Sequence, residues 1–169
     1  MENQTLNISI SERLAESIKN YVSSHQKKYN TIFLADYNLD DKIIAGHKKY
    51  AAVKSDEKVL MAVNKIILYP FSGMGILITD RFLYYRLVDG NSNAVPIISL
   101  FKGKPTGIIP LSSIKNIKIG DSIMTLGGQY YGDEFFVNGK RLGLLPFTGF
   151  AQDGMKDELR QIFKVFDNE

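Results

Sequence analysis

The sequence predicts an α+β protein in which a strongly bent antiparallel sheet or partial barrel of seven strands is capped by a C-terminal helix. Three observations predict this class. Helical periodicity marks an N-terminal extension, strand-like runs separated by turn residues begin near residue 58, and an amphipathic segment follows them. Runs of strands followed by a helix are typical of α+β folds rather than of parallel α/β sheets. Strands this short bury their apolar side chains most easily by curling around one core, and the last helix then closes an open end.

The composition is that of an ordinary globular protein. The 169 residues suffice for one sizeable domain, or for one domain with a helical extension. They are 44% hydrophobic and 23% charged, which argues against disorder. Residues 1–57 hold eight basic and eight acidic side chains, so the formal charge of +3 arises in the remainder of the chain. That excess suits weak attraction to an anionic surface, and it equally suits plain solubility.

Several classes of protein are excluded or disfavoured by what the sequence lacks. The chain has no cysteine, which excludes disulfides, thiolate nucleophiles and cysteine-ligated zinc or iron–sulfur sites. Its first residues lack the basic start and long apolar stretch of a signal peptide. No apolar run approaches the roughly 20 residues that span a bilayer. We therefore expect a cytoplasmic protein.

A helix is predicted near the N-terminus. Ser9 and Glu12 have the spacing of a capping box, in which a hydroxyl and a carboxylate satisfy backbone donors that the first turn leaves unpaired. Side chains at helical spacing then form one buried stripe: Leu14, Ile18, Tyr21, Val22 and His25. This helix opens a helical extension that we assign to residues 1–54.

A second helix is predicted for residues 39–53. Asp40 or Asp41 near its start and lysines near its end interact favourably with the helix dipole. Gly46 weakens this helix because glycine loses more backbone entropy than other residues. Between the two helices, residues 30–38 indicate either a short strand or an extended link.

The first strands of the sheet follow. Residues 58–68 are apolar enough for a strand that is buried on both faces or that wraps over a core. Residues 69–75 contain proline and glycine and indicate a loop. Residues 75–88 then predict a tight hairpin in which Ile76 and Ile78 share one face.

The corner of this hairpin is the charged tripeptide Thr79-Asp80-Arg81. We expect the Asp80 side chain to accept hydrogen bonds from the turn amides, as aspartate does in many turns. Arg81 is expected to pair with Asp80 or to remain solvated. The corner is thus interpreted as a structural turn and not as a functional site.

The second half of the sheet has a clear hairpin near its end. Residues 97–107 indicate an irregular insertion or a short additional hairpin. Residues 108–121 predict one strand and then a second, in which three isoleucines alternate imperfectly with lysines: Ile114, Ile117 and Ile119. Residues 132–147 predict the clearest hairpin of the chain, with Asn138-Gly139 at the position that a type I′ turn requires.

An amphipathic helix is predicted at the C-terminus, with Asp153 as its N-cap. Its apolar stripe comprises Met155, Leu159, Ile162, Phe163 and Phe166. We assign this helix and the preceding strands to one domain, residues 55–169.

Three stretches, taken in order, resemble the pleckstrin-homology (PH) superfold in its bacterial PH or GRAM-like form. Residues 75–86, GILITDRFLYYR, are similar to the family's apolar strand, Thr-Asp-Arg corner and aromatic-rich return strand. Residues 108–119, IIPLSSIKNIKI, resemble its Ile-Pro-Leu-x-x-Ile step into the next strand. Residues 135–147 with 153–166 resemble its last hairpin and closing helix. The resemblance covers roughly residues 55–167 and implies a binding module without a catalytic centre.

The resemblance also implies classes of ligand. Eukaryotic PH relatives bind phosphoinositide headgroups or protein segments, whereas bacterial relatives have few assigned ligands and some assemble into rings. Phosphoinositide-binding members place several Lys and Arg in the loop between their first two strands. The matching residues 64–78 hold Lys65 as their only charge, and a phosphorylated headgroup needs several converging donors. We therefore do not expect specific phosphoinositide recognition.

Residues 99–107, a loop with glycine and proline, are the first candidate for contact with a membrane. Phe101 would enter the interface while Lys102 and Lys104 meet anionic lipid, each lysine contributing on the order of 1 kcal/mol. Four more basic side chains would extend the patch if they face the same way: Lys115, Lys118, Lys140 and Arg141. The alternative is an ordinary solvated loop.

Residues 69–75 are the second candidate contact. Tyr69, Phe71 and Met74 give this loop a composition that suits hydrophobic contact with a protein or a lipid. The alternative is that the loop packs back onto the core.

Enzymatic chemistry has no positive support in the sequence. Asp133 and Glu134 are adjacent, but neighbours on a strand point to opposite faces. His25 is expected at the edge of a buried stripe, and His47 is expected in solvent beside lysines. Phosphate-binding loops and nucleic-acid-binding motifs are absent from the sequence. We expect no catalytic site, metal or cofactor, and no nucleic-acid partner.

Two functional hypotheses follow from these patterns. The first is a PH-like module that associates peripherally with an anionic membrane surface. The second is a protein-interaction or homo-oligomeric assembly domain that uses an open sheet edge and its aromatic loops, because an open edge can pair with a strand from a partner.

Overall fold

The structure is a computed structural model that describes residues 8–24, 32–47, 50–64, 74–89, 105–124, 130–145 and 155–167. Within these ranges the protein has the predicted α+β class, with three α-helices and two antiparallel sheets. Its eight strands divide into a five-stranded and a three-stranded sheet, and neither ladder closes into a barrel in the described part of the chain. The division differs from the single bent sheet of seven strands that the sequence predicts.

Helix α1 spans Ile10–Ser24 and begins at the predicted capping box. The Ser9 backbone N–H donates to Glu12 Oε2 at 2.8 Å, and the Glu12 N–H donates to Ser9 Oγ at 3.3 Å. Its apolar stripe is buried at Leu14, Ile18 and Tyr21, which confirms the predicted stripe over these three residues. His25, the last residue of that stripe, lies outside the described residues.

Helix α2 spans only Asp41–His47, about half of the predicted segment. Asp40 acts as its N-cap, because Asp40 Oδ1 accepts a hydrogen bond from the Ile43 N–H at 2.9 Å. The short length agrees with the weakening effect of Gly46. Strand β1, Ile32–Leu34, lies between α1 and α2 and confirms the short-strand alternative for that link.

The five-stranded sheet contains the strands in chain order, β1 to β5, all antiparallel. The other strands are β2 (Val59–Asn64), β3 (Gly75–Thr79), β4 (Phe82–Arg86) and β5 (Thr106–Pro110). Both faces of this sheet are covered, so its central strands consist of near-continuous apolar runs.

The two faces of this sheet bury different apolar clusters. The core face carries side chains of the main hydrophobic core, among them Met61, Val63, Ile76, Ile78 and Leu83. The outer face carries a smaller cluster, which α2 and residues 50–53 cover: Phe33, Ala62, Leu77 and Tyr84. Ile76 and Ile78 therefore share one face, as predicted.

The three-stranded sheet is formed by β6 (Ile117–Met124), β7 (Tyr130–Val137) and β8 (Lys140–Leu145). Asn138 and Gly139 join β7 to β8 with φ of 53° and 75°, the positive values that a type I′ turn requires. The predicted hairpin is thereby confirmed.

The sheets separate where the chain leaves β5. A 3₁₀ turn at Leu111–Ser113 follows Pro110 and redirects the chain, so the consecutive strands β5 and β6 lie in different sheets. One isolated bridge, Val88 to Leu144, connects the five-stranded sheet to β8. Gly143 permits this approach, because a Cβ at that position would lie 2.6 Å from the Val88 carbonyl oxygen.

Helix α3 spans Met155–Phe163 and continues as a 3₁₀ turn over Lys164–Phe166. Every residue of its predicted apolar stripe is buried in the main core: Met155, Leu159, Ile162, Phe163 and Phe166. The Phe163 ring lies 6.4 Å from the Phe135 ring in an edge-to-face arrangement. The predicted N-cap, Asp153, lies outside the described residues.

Helix α1 belongs to the same hydrophobic core as α3 and the strands. Arg13 Nη2 donates to the Val165 carbonyl at 2.8 Å, and Ser17 Oγ donates to the Ile162 carbonyl at 3.3 Å. The segments on either side of the predicted boundary at residue 54 therefore share one core.

Candidate anionic-surface contact

Three of the predicted contact residues lie around the turn between β7 and β8. We call Lys115, Lys118 and Lys140 the hairpin lysines. All three side chains are exposed. Lys118 lies on β6, Lys140 is the first residue of β8, and Lys115 lies two residues before β6.

The strand register places the hairpin lysines at one end of the three-stranded sheet, but not all on one face. Lys118 on β6 is opposite Phe136 on β7, and Phe136 is opposite Arg141 on β8. The Cα atoms of Lys118 and Arg141 are therefore about 10 Å apart, which is two strand spacings. Lys140 is opposite Val137 at the same end of the hairpin, and because Val137 faces the main core, Lys140 lies on the other face from Lys118.

The Asn138 side chain holds the segment before β6 against this turn. Its Oδ1 accepts a hydrogen bond from the Lys115 N–H at 2.7 Å, and its Nδ2 donates to the Ser113 carbonyl at 2.8 Å. The amide of one turn residue therefore positions Lys115 beside Lys140.

Arg141 is adjacent to these lysines but is already engaged. Its Nε donates to Glu134 Oε1 at 2.8 Å, and its Nη1 donates to the Asp89 carbonyl at 2.9 Å. The Arg141 charge is thereby offset by Glu134 on the same face. The hairpin lysines form no ion pair within the described ranges, so no carboxylate there offsets their charges.

The remaining predicted contact residues do not join this surface. Met74 is 1% exposed and packs with Val88 and Leu144, which corrects its prediction as a contact residue. Met74 is buried because it directly precedes β3, where the chain enters the sheet. The aromatic and basic residues of the two predicted loops lie outside the described residues: Tyr69, Phe71, Phe101, Lys102 and Lys104.

A buried carboxylate that sequence reasoning missed lies against the outer face of the five-stranded sheet. Glu57 is 8% exposed. Its Oε2 accepts hydrogen bonds from Thr79 Oγ1 at 2.8 Å and from Tyr84 Oη at 3.0 Å. Burial, and then the hydrogen bond to Glu57, raises the pKa of Tyr84 to about 12. The sequence holds no periodic signal for this residue, because Glu57 precedes β2 and its donors come from other strands.

The hairpin corner at residues 79–81 is structural, but its partners differ from those predicted. The Thr79 hydroxyl accepts hydrogen bonds from the Arg81 and Phe82 amides at 3.2 and 3.0 Å. Asp80 Oδ1 instead accepts from the Lys58 N–H at 3.1 Å.

Arg81 pairs with Asp56 rather than with Asp80. Its Nη1 lies 2.8 Å from Asp56 Oδ2, and both side chains are exposed. This hydrogen bond lowers the pKa of the Asp56 carboxyl below its usual value. The corner therefore links β3 and β4 to the segment that precedes β2.

The predicted solvation of His47 is wrong. Its side chain is fully buried, because the last turn of α2 places it against the sheet, and its Nδ1 shares a hydrogen bond with Tyr50 Oη. Burial lowers the pKa of His47 to about 4 and raises the pKa of Tyr50.

The adjacent carboxylates Asp133 and Glu134 point to opposite sides of β7, as predicted. Asp133 is buried, accepts a hydrogen bond from Ser122 Oγ at 2.6 Å and lies 3.7 Å from Lys156 Nζ. Glu134 is half-buried on the other side, where it pairs with Arg141. In the part of the chain that the structure describes, no group of three or more His, Asp or Glu side chains is arranged to hold a metal ion.

No protein-family model matches the chain, and no curated protein or solved structure matches it at a significant level. The described helices are too short or too polar to cross a bilayer. What the structure defines is a protein class: an α+β fold of two antiparallel sheets and three helices, with a lysine-rich hairpin on the smaller sheet.

Proposed function

We propose that this protein is a non-catalytic, PH-like binding module that associates peripherally with anionic membrane surfaces. The order of elements supports the fold part of the proposal. Among the described residues, seven strands, β2 to β8, pair antiparallel within their two sheets and precede α3, whose apolar stripe is buried in the main core. The PH superfold has the same order of seven strands and a closing helix. In this proposal α1, β1 and α2 are additions that precede it.

The observation that carries the binding part is that the hairpin lysines lie at one end of the three-stranded sheet, are exposed and have no carboxylate partner in the described ranges. Each lysine near an anionic membrane contributes on the order of 1 kcal/mol. Three lysines then contribute about 3 kcal/mol, which corresponds to a dissociation constant weaker than about 1 mM. The association is therefore reversible and sensitive to salt, and a second contact strengthens it. Phe101, Lys102 and Lys104 are the proposed second contact.

Co-sedimentation with vesicles tests this proposal. The protein is expected to bind phosphatidylcholine vesicles only when they contain phosphatidylglycerol, and to dissociate as salt is raised from about 0.05 M to about 0.5 M. The triple variant Lys115→Glu, Lys118→Glu, Lys140→Glu is expected to lose most of this binding, because it replaces attraction with repulsion.

A charge-matched control separates this surface from the effect of net charge. Lys19, Lys42 and Lys54 are also exposed, but they lie on α1, on α2 and before β2. Their replacement by Glu changes the net charge equally and is expected to weaken binding much less. Equal losses in the two triple variants, or no binding to anionic vesicles at low salt, would contradict the proposal.

The contribution of the 99–107 loop is measured separately. The double variant Lys102→Glu, Lys104→Glu is expected to weaken vesicle binding further when it is combined with the hairpin variant. An additive loss indicates two contacts with one surface, whereas an unchanged affinity would remove the loop from the proposal.

A further inference from the structure

Strand β5 is an edge of the five-stranded sheet. Among the described residues it pairs with β4 alone, over the register from Phe82–Pro110 to Arg86–Thr106. An edge strand presents backbone N–H and C=O groups that are free to pair with another chain.

Two backbone hydrogen bonds at the ends of β5 establish which backbone groups point away from β4. The Leu87 N–H donates to the Pro105 carbonyl, and the Leu111 N–H donates to the Arg81 carbonyl, both at 2.8 Å. Backbone direction alternates along an antiparallel ladder, so the odd-numbered residues of this segment face β4. Thr106 and Ile108 therefore direct their N–H and C=O groups outward.

The outward edge ends at Pro110. Proline has no N–H to donate, and the Pro110 carbonyl accepts a hydrogen bond from Ser113 Oγ at 2.8 Å. In the part of the chain that the structure describes, the free edge is thus limited to Thr106 and Ile108, with Gly107 between them.

The side chains of this edge carry no charge that would repel another strand. Natural edge strands commonly use lysine or proline to prevent pairing. The strand Thr106–Pro110 has no lysine, and its one proline is at its end. Ile108 is 53% exposed on the outer face, opposite Tyr84. It is one of two large apolar side chains that are exposed among the described residues, the other being Ile8 at 54%.

Tyr85 holds β5 in place from the core face. A Cβ at Gly107 would lie 2.5 Å from Tyr85 Oη, so the tyrosine ring occupies the space that a larger residue would need. The edge is therefore preformed, which reduces the entropy that pairing must overcome.

We infer that β5 pairs with β5 of a second copy of this chain, antiparallel and centred on Gly107, to form a two-fold symmetric dimer. Thr106 then lies opposite the partner's Ile108, and each of these two equivalent pairs exchanges two N–H···O bonds. Centring on Ile108 instead would place Thr106 opposite the partner's Pro110, which has no N–H and whose carbonyl is occupied. Of these two registers, only the one centred on Gly107 lets both outward-facing residues exchange hydrogen bonds with the partner.

A second copy is the occupant that this edge fits best. A two-fold interface is self-complementary by construction, and within Thr106–Pro110 the pairing brings together uncharged side chains only. One short edge buries less area than standard stable interfaces do, so the dimer is weak and its population depends on concentration. This inference does not rest on the proposed membrane function, because it is argued from the backbone pairing of β5 and uses none of the lysines of that proposal.

Sedimentation velocity of the full chain tests the dimer. The protein is expected to shift from monomer to dimer between about 5 µM and about 500 µM, the range in which small interfaces associate. Ile108→Lys places a charge on the edge and is expected to raise the dissociation constant at least about tenfold. Thr106→Pro removes only an outward N–H and is expected to have a similar effect.

Ile8→Lys is the matched control, since it makes the same substitution at a side chain of equal exposure, and it is expected to leave the dimer unchanged. Far-ultraviolet circular dichroism verifies that each variant is folded. A monomer at every concentration would overturn the inference. So would a dimer that neither edge variant weakens.

Cross-linking tests the register, because the chain contains no cysteine of its own. Opposite residues in a hydrogen-bonded pair have Cα atoms about 5.5 Å apart, within disulfide range, whereas diagonal residues lie about 7–8 Å apart. A mixture of Thr106→Cys and Ile108→Cys chains is expected to form a mixed disulfide dimer on mild oxidation. Either variant alone is expected to remain largely uncross-linked. Efficient cross-linking of either variant with itself would overturn this register.

Discussion

Glu57 shows how one buried residue joins separate strands. Its carboxylate accepts hydrogen bonds from Thr79 on β3 and Tyr84 on β4 and also from the Lys54 N–H at 3.2 Å. A buried charge is tolerated only when such partners replace its hydration. Glu57 therefore ties the segment before β2 to the outer face of the sheet.

Removal of the Glu57 carboxylate is expected to destabilise the protein strongly. Glu57→Ala removes the carboxylate that accepts from the buried Thr79 and Tyr84 hydroxyls, and the expected loss is about 3 kcal/mol of unfolding free energy in urea denaturation. Asp56→Ala is the control, because Asp56 is exposed and its pair with Arg81 is screened by solvent. Comparable losses in the two variants would contradict the structural role of Glu57.

His47 makes the stability of the fold dependent on pH. Burial lowers its pKa to about 4 in the folded state, against an ordinary value of 6.5. The unfolded chain therefore binds a proton that the folded chain excludes, and stability is lost as pH falls below about 6.5. Between pH 7.5 and pH 5 this one group is expected to cost about 2 kcal/mol.

The contribution of His47 is isolated by comparing urea denaturation of the wild type and of His47→Leu at both pH values. The variant retains the other titrating groups, so its unfolding free energy is expected to fall by about 2 kcal/mol less over this interval. An equal pH dependence in the two proteins would show that His47 is not buried in its neutral form.

At the scale of elements, the join between the sheets depends on one glycine. Gly143 has a φ of 149° in β8, and a Cβ there would meet the Val88 carbonyl of the only bridge recorded between the two sheets in the described ranges. The Val88 N–H donates to the Leu144 carbonyl at 3.1 Å, and the Leu144 N–H donates back at 2.7 Å. A side chain at residue 143 would force these strands apart.

Gly143→Ala is accordingly expected to lower the unfolding free energy by at least about 2 kcal/mol, measured by urea denaturation. Gly46→Ala is the control, because it is expected to change the unfolding free energy in the opposite direction. Gly46 lies in α2 with open space where the Cβ would be, so alanine there is expected to stabilise by about 0.5–1 kcal/mol. A neutral Gly143→Ala would mean that the two sheets do not approach each other at this bridge.

At the scale of the whole molecule, the two ends of the chain share one core. Helix α1 contributes Leu14, Ile18 and Tyr21 to the cluster that also contains Phe163 and Phe166 of the C-terminal segment. Deletion of α1 would expose that cluster, which makes point substitutions at the surface the sharper tests of function.

The two proposals, if both hold, would combine at this scale. The hairpin lysines lie on the three-stranded sheet and the β5 edge on the five-stranded sheet. A dimer through β5 would carry two sets of hairpin lysines, and two weak contacts on one particle bind a surface far more tightly than one does.

Sequence patterns anticipated those parts of the fold that depend on near neighbours. The capping box of α1, the type I′ turn at Asn138-Gly139 and the apolar stripe of α3 were predictable, because residues a few positions apart determine them. The hairpin lysines were predictable as residues. Their grouping was not, since it depends on the register of β6, β7 and β8.

The sequence by itself determined the α+β class, the order of helices and strands, and most core-facing side chains, because local periodicity encodes which face of an element is apolar. Only the tertiary structure decided that the strands divide into two sheets, that His47 and Glu57 are buried, and that Arg81 pairs with Asp56. These features join residues distant in the chain, and no local pattern specifies which distant groups will satisfy a buried charge or extend an edge.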